Sequence, residues 1–128
     1  MKLRMVDDSI RLRLTVSEVA SIARGASVES RTRFPSATLD YALCVGDVPN
    51  ITARFDAARI AITLPRAIAS RWAGSNEVSL HGEQSTDGGV LRILVEKDFT
   101  CVEPREGEDQ ADLYPNPKGA SAKAIDRT

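Results

Sequence analysis

Arginines at alternating positions are the part of this sequence best suited to chemistry. Arg4, Arg11, Arg13, Arg31, Arg33 and Arg54 each fall where apolar and charged residues take turns. Successive side chains of a strand point to opposite faces, so the alternation gathers these arginines, with Lys2 and Arg92, away from the apolar set. Glu29, Asp40, Asp56, Glu77 and Glu96 share that face with the small or polar Ala42, Cys44, Thr63, Ser79 and His81. A guanidinium is a planar fork that grips carboxylate or phosphate oxygens in pairs. The six arginines named first are therefore the candidate anion-binding set. Turned inward in a closed barrel, they line a tunnel for an anion. Turned outward, they form an ion-paired, solvated surface, the commoner fate of a polar sheet face.

Metal chemistry would need converging carboxylates or paired Cys and His ligands. Glu96, Asp98, Glu106, Glu108, Asp109 and Asp112 lie near the end of the chain, and Glu96, Asp98, Glu108 and Asp109 are the candidate ligands for a divalent ion. Their spacing is not that of an EF-hand loop. One histidine and two cysteines without paired spacing do not make a zinc site. No cofactor is expected, and a divalent metal is the one exception considered. Covalent catalysis has a single available arrangement, Cys101 with His81; a buried, inert thiol is the simpler reading. No nucleophile elbow, P-loop or dinucleotide-binding glycine motif occurs.

Stepping from these residues to the segments that carry them, two halves of the chain look alike. Residues 2–46 laid over residues 52–96 match in apolar pattern: Met5 falls on Phe55, Ile10 on Ile60, Leu12 on Ile62 and Leu14 on Leu64. The same shift of fifty sets Ile22 on Trp72, Val28 on Val78, Tyr41 on Leu91, Leu43 on Ile93 and Val45 on Val95. One offset through two hairpins and a helix predicts a duplicated strand–strand–helix–strand–strand unit. Lys2–Val6 and Ser9–Leu14 read as a hairpin turning at Asp7-Asp8. Thr15 and Glu18 form a capping box, Val16, Val19, Ala20, Ile22 and Ala23 form the buried stripe of the first helix, and Gly25 is its left-handed stop. Pro65 opens the second helix, Ile68, Ala69 and Trp72 are its stripe, and Gly74 ends it. Further strands are expected at Ala26–Phe34, Thr38–Val45, Asn50–Asp56, Arg59–Leu64, Asn76–His81 and Val90–Glu96.

The predicted fold is α+β: about eight mainly antiparallel strands with two covering helices. They form either a barrel or two packed sheets, and the barrel is favoured because it leaves no unpaired edge. Residues 1–117 are expected to form one domain, with a C-terminal extension over 97–117 lying outside the repeat. Pro104, Pro115 and Pro117 argue for an extended course there, with Phe99, Val102, Leu113 and Tyr114 as anchors. Residues 118–128 read as a disordered tail.

Composition narrows the functional classes. At 42% apolar and 27% charged, the 128 residues suit one globular domain with a core of Val, Ile, Leu and Ala. A net charge of −1 gives no bulk attraction to nucleic acid or anionic lipid. No apolar run approaches the ~18–20 residues of a membrane span, so no membrane partner is expected. Nothing near Met1 has the unbroken apolar core of a signal peptide, which leaves a cytoplasmic location with reduced cysteines.

Leu91-Arg-Ile-Leu-Val-Glu-Lys-Asp-Phe-Thr-Cys101, then Glu108-Asp109 and Tyr114-Pro-Asn-Pro117, resemble the C-terminal signature of a family of small uncharacterised bacterial proteins. Ile10-Arg-Leu-Arg-Leu-Thr15 with Ser17-Glu18-Val19 is similar to that family's N-terminal segment. The resemblance implies a full-length match and a bacterial, cytosolic origin, and implies no mechanism. The cyclic order of strands and helices is also similar to that of the triphosphate tunnel enzymes, which line a barrel with Arg, Lys and Glu and use divalent metal. Their Glu-x-Glu-x-Lys opening strand is replaced here by Lys2-Leu-Arg-Met-Val6.

Two functions follow from these residues. The first is a non-catalytic binding or interaction module whose arginine-rich face takes a small anion or a protein. The alternative is a metal-assisted phosphohydrolase, with Arg11, Arg13, Arg31 and Arg33 on phosphate and Glu96, Asp98 or Glu29 on metal. The alternative requires arginines and carboxylates to converge in one cavity; the first does not.

Overall fold

A computed structural model describes residues 1–99 and 112–114 of the chain. The elements run β1 (Lys2–Val6), β2 (Ser9–Leu14), α1 (Val16–Ala23), β3 (Val28–Arg33), β4 (Thr38–Gly46), β5 (Thr52–Asp56), β6 (Arg59–Pro65), α2 (Arg66–Ala73), β7 (Ser79–Thr86) and β8 (Gly89–Lys97). The α+β class and the order of elements agree with the sequence. The least well anticipated strand is β7, which starts three residues later than expected and continues five residues past His81. Gly82 and the polar Glu83–Ser85 carry no apolar alternation, and β7 forms there because β8 pairs with it as far as Thr86–Gly89.

The strands form two four-stranded sheets, ordered β1-β2-β8-β7 and β3-β4-β6-β5. Each sheet takes one hairpin from either half of the chain. Within a hairpin the pairing is antiparallel, but β2–β8 and β4–β6, the central pairs, run parallel. The sheets are thus mixed: four of the six strand pairs among the described residues are antiparallel, in line with the mainly antiparallel expectation, and the two central ones are parallel. Each helix carries the chain from one sheet to the other, at the end away from the hairpin turns.

The favoured barrel does not close. Where β5 meets β7, the Gln84 side-chain oxygen accepts the Ala53 N–H at 2.7 Å. Ile51 packs so tightly against Gly82 that a Cβ there would lie 2.9 Å from the Ile51 Cβ. Side chains therefore fill the seam that a barrel would bridge with a backbone ladder. The apolar faces of the two sheets pack on each other instead. Ile10, Leu12, Leu14, Ile93 and Val95 from one sheet join Leu43, Ile60, Ile62 and Leu64 from the other, with Val19, Ile22, Ala69 and Trp72 from the helices, in one cluster.

The offset between the halves is not constant. Ile10 lies beside Ile93, whereas its counterpart fifty residues on, Ile60, lies beside Tyr41. The second hairpins therefore correspond at an offset of fifty-two, with two extra residues between α2 and β7. Leu80, not Val78, takes the buried place of Val28, and Val95, not Ile93, that of Leu43.

The helix starts follow the sequence closely. Thr15 accepts from the Glu18 N–H while the Glu18 carboxylate accepts from the Thr15 N–H, completing the capping box. Asp112 adds to it: its carbonyl accepts from the Val16 N–H at 2.9 Å and its carboxylate takes the Ser17 N–H and hydroxyl. Only Val19 and Ile22 of the predicted α1 stripe are buried, and Val16 is largely exposed. Gly25 has the expected left-handed φ of 81°. Pro65 is the N-cap of α2, just outside it. Trp72 is fully buried and donates its indole N–H to the Val78 carbonyl at 3.1 Å. The extension returns to this end: Tyr114 bridges Phe99, and the Lys97 ammonium lies 5.4 Å from the Trp72 ring centre and 5.8 Å from that of Tyr114. Burial pushes the Lys97 pKa down, against the opposing pull of Glu77. Pro104, Pro115, Pro117, Val102 and the predicted tail over 118–128 lie outside the described residues.

Candidate anion-binding face

With the apolar faces packed together, every predicted anion-binding arginine points outward, and the two sheets divide them. Arg4, Arg11 and Arg13 stand on β1 and β2, whereas Arg31, Arg33 and Arg54 stand on β3 and β5 of the other sheet. The single face expected from alternation is therefore two faces on opposite sides of the core. Their charge arrangements differ.

The β3-β4-β6-β5 face is compensated apart from Arg33, which has no carboxylate partner among the described residues. One cross-strand row reads Arg31–Asp40–Arg59–Asp56, alternating in sign. Arg31 pairs with Asp40 at 3.0 Å, Arg59 with Glu29 at 3.4 Å and Arg54 with Asp56 at 3.8 Å. Cys44 lies half-buried on this face. Burial is the main cause of its raised pKa, only partly offset by the Arg59 guanidinium, so the thiol is not primed as a nucleophile. His81 is on the other sheet, and Cys101 lies outside the described residues.

The β1-β2-β8-β7 face is built in three rows. The row nearest the helices, Lys2–Arg13–Glu96–Ser79, carries its own counter-charge. Glu96 lies 3.4 Å from Arg13 and accepts the Ser79 hydroxyl at 3.2 Å, and Lys2 reaches the buried Asp98 at 3.2 Å. The middle row, Arg4–Arg11–Leu94–His81, has no carboxylate. Arg4 and Arg11 are directly opposite, an arrangement that destabilises a strand pair. The nearest relief for Arg11 is Glu96 at 3.5 Å, already shared with Arg13. The third row is Val6–Ser9–Arg92–Glu83. Among the described residues no carboxylate pairs with Arg4 or Arg92.

The middle and third rows line a recess of about 350 Å³ floored by Leu94 and the backbone of Ile10, Gly82 and Ile93. At the corresponding positions the other sheet has Arg54–Ala61–Ala42–Glu29 and Asp56–Arg59–Asp40–Arg31. The fold thus accommodates a neutral version of this surface. The net positive one belongs to the β1-β2-β8-β7 sheet.

Of the six candidate arginines, Arg4 and Arg11 come together in the recess, Arg13 stands beside it and is neutralised, and the other three are elsewhere. Two members of the recess were missed. Arg92 was placed on the polar face but not in the site, and Glu83 lay beyond the predicted end of β7. Pairing β7 and β8 symmetrically about the turn at Asp87-Gly88 would have set Glu83 opposite Arg92. Among the candidate metal ligands, Glu96 is held by Arg11, Arg13 and Ser79, and Asp98 faces Lys2. Glu108 and Asp109 lie outside the described residues. Among the described residues no three His, Cys, Asp or Glu side chains gather as a metal site, and no helix is long and apolar enough to cross a membrane.

The profile of a family described as Family of unknown function (DUF7009) matches residues 1–118. The chain belongs to that family. The family's description carries no activity. Neither the curated proteins nor the solved structures contain a significant match.

Proposed function

We propose that this protein is a non-catalytic binding module that holds a small anion on the β1-β2-β8-β7 face. The observation that carries the reading is the Arg4–Arg11 pair at a recess of about 350 Å³: two guanidiniums in direct cross-strand register, Arg4 with no carboxylate partner among the described residues and Arg11 with only Glu96, already engaged by Arg13. Like charges so placed repel, and an anion between them turns repulsion into two charge-assisted hydrogen-bonding partners. The phosphohydrolase alternative has nothing comparable in its favour. Its Arg31, Arg33 and Glu29 lie across the core from Arg11 and Arg13. We read residues 1–117 as one cytoplasmic domain of bacterial origin, grown by duplication of a ββαββ unit; the repeated element order supports the last point.

Thermal melting in inorganic phosphate and in sodium chloride of matched ionic strength tests the reading. Phosphate should raise the wild-type Tm above the chloride value. Arg11→Ala should lose that increment, and Arg31→Ala, on the compensated face, should keep it. Equal increments in all three proteins would overturn the assignment. A parallel melt with EDTA addresses the metal: no change in Tm is expected.

A further inference from the structure

The recess has a polarity that narrows the ligand class, an inference resting on the anion-binding reading above. We propose that it takes a phosphomonoester with a single anionic end, whose other end donates a hydrogen bond to Glu83. Arg4 and Arg11 occupy adjacent strands, ~5 Å apart. Glu83 stands on β7, two strand spacings from β2 and so roughly 10 Å from the arginine end. Leu94 lies between them as an apolar floor, with Arg92 and His81 at its sides.

Each feature excludes a class of ligand. A bare phosphate spans only the Arg4–Arg11 end and leaves the rest of the recess to water. A carboxylate brings one charge and two oxygens, enough for one arginine fork. A phosphomonoester brings a charge of about −1.5 to −2 and three acceptor oxygens, enough for both arginines. A triphosphate or nucleic-acid strand would lay further anionic groups past Arg92 and onto Glu83, where like charges repel. An ionised carboxylate only accepts hydrogen bonds, so the far end of the ligand must carry a hydroxyl or amino group. The polarity is not imposed by the fold. At the positions of Arg92 and Glu83 the other sheet has Asp40 and Arg31, in the reverse order of charge and already paired at 3.0 Å. Sugar phosphates and nucleoside monophosphates share the required chemistry.

Titration calorimetry at low salt with inorganic phosphate, glucose 6-phosphate, adenosine monophosphate and adenosine triphosphate tests the proposal and separates the two sources. One of the two monophosphates should bind at least ~10-fold more tightly than inorganic phosphate, the gain of about one good hydrogen bond to a charged acceptor. The triphosphate should bind more weakly than adenosine monophosphate. Glu83→Ala is an exposed substitution that should leave the melting temperature almost unchanged. It should remove most of the monophosphate advantage, strengthen triphosphate binding and leave inorganic phosphate binding in place. If phosphate binds through Arg11 but neither monophosphate exceeds it, or if Glu83→Ala changes none of these ratios, the ligand class is wrong while the anion site stands. If no anion binds, both readings fall.

Discussion

Replacing Arg4 by Glu should make the protein more stable while abolishing anion binding. Arg4 faces Arg11 across the β1–β2 hairpin, and among the described residues no carboxylate pairs with it. With the guanidiniums splayed to ~7 Å in a watery environment, their repulsion is ~0.6 kcal/mol. Reversing one sign converts it to a comparable attraction, a swing of ~1.2 kcal/mol before screening. Salt then sets what survives. A Debye length of ~30 Å at ~0.01 M leaves ~1 kcal/mol, whereas ~8 Å at ~0.15 M leaves ~0.5 kcal/mol. For a domain near this size each kcal/mol moves Tm by ~4 °C, so the gain should be ~4 °C at low salt and ~2 °C at physiological salt. Two melting curves per protein suffice, followed by a third in phosphate, which should stabilise the wild type and not the variant. A variant that melts at or below the wild type in low salt would refute the argument, as would a gain independent of ionic strength. Either result would mean that Arg4 is balanced by something other than a ligand.

Three further expectations concern the fold that supports the face. Leu12→Ala, at a fully buried β2 position, should cost ~2–5 kcal/mol in urea unfolding, followed through the fluorescence of Trp72, the sole tryptophan. Gly82→Ala should cost ~1–3 kcal/mol in the same measurement, because its new Cβ would meet the Ile51 Cβ at 2.9 Å at the β5–β7 seam; a neutral result would show that the seam is soft. Asp112 has its pKa held below the usual carboxylate value, chiefly by the Ser17 hydroxyl, then by the Thr15 hydroxyl and the Ser17 N–H, against a small opposing desolvation. A depressed carboxylate contributes stability that is present above its unfolded pKa and lost as pH falls through its folded pKa. The Tm difference between wild type and Asp112→Ala should therefore be largest near neutrality and shrink below about pH 4, where the ordinary carboxylate titrates. A difference that holds constant into acid would show that the ionised carboxylate is not what stabilises this end of the fold, and no difference at any pH would leave Asp112 acting through its backbone alone.

The alternation of Ile10, Leu12 and Leu14 with Arg11 and Arg13 was enough to define a strand, its buried side and its charged side, because side-chain direction has a period of two regardless of what the strand pairs with. Thr15 with Glu18 was enough to start a helix, because a capping box is closed within four residues. These are local properties, and the sequence by itself determined them: the α+β class, most element positions and the placing of every candidate arginine on the side of its strand away from the apolar residues.

Pairing between distant segments was not local. Whether β2 lies beside β8, and in which register, depends on which hairpins the helices bring together. That choice put Arg4 and Arg11 on one side of the core and Arg31, Arg33 and Arg54 on the other. It also shifted the second hairpin by two residues and carried β7 far enough to set Glu83 beside Arg92. Seam packing at Ile51 and Gly82 decided for two sheets over a barrel, and so turned the expected tunnel into an open recess. The arginines were legible in the sequence as a set. Only tertiary structure decided which of them lack a counter-charge, because compensation is a matter of distances across strands that the chain order does not contain.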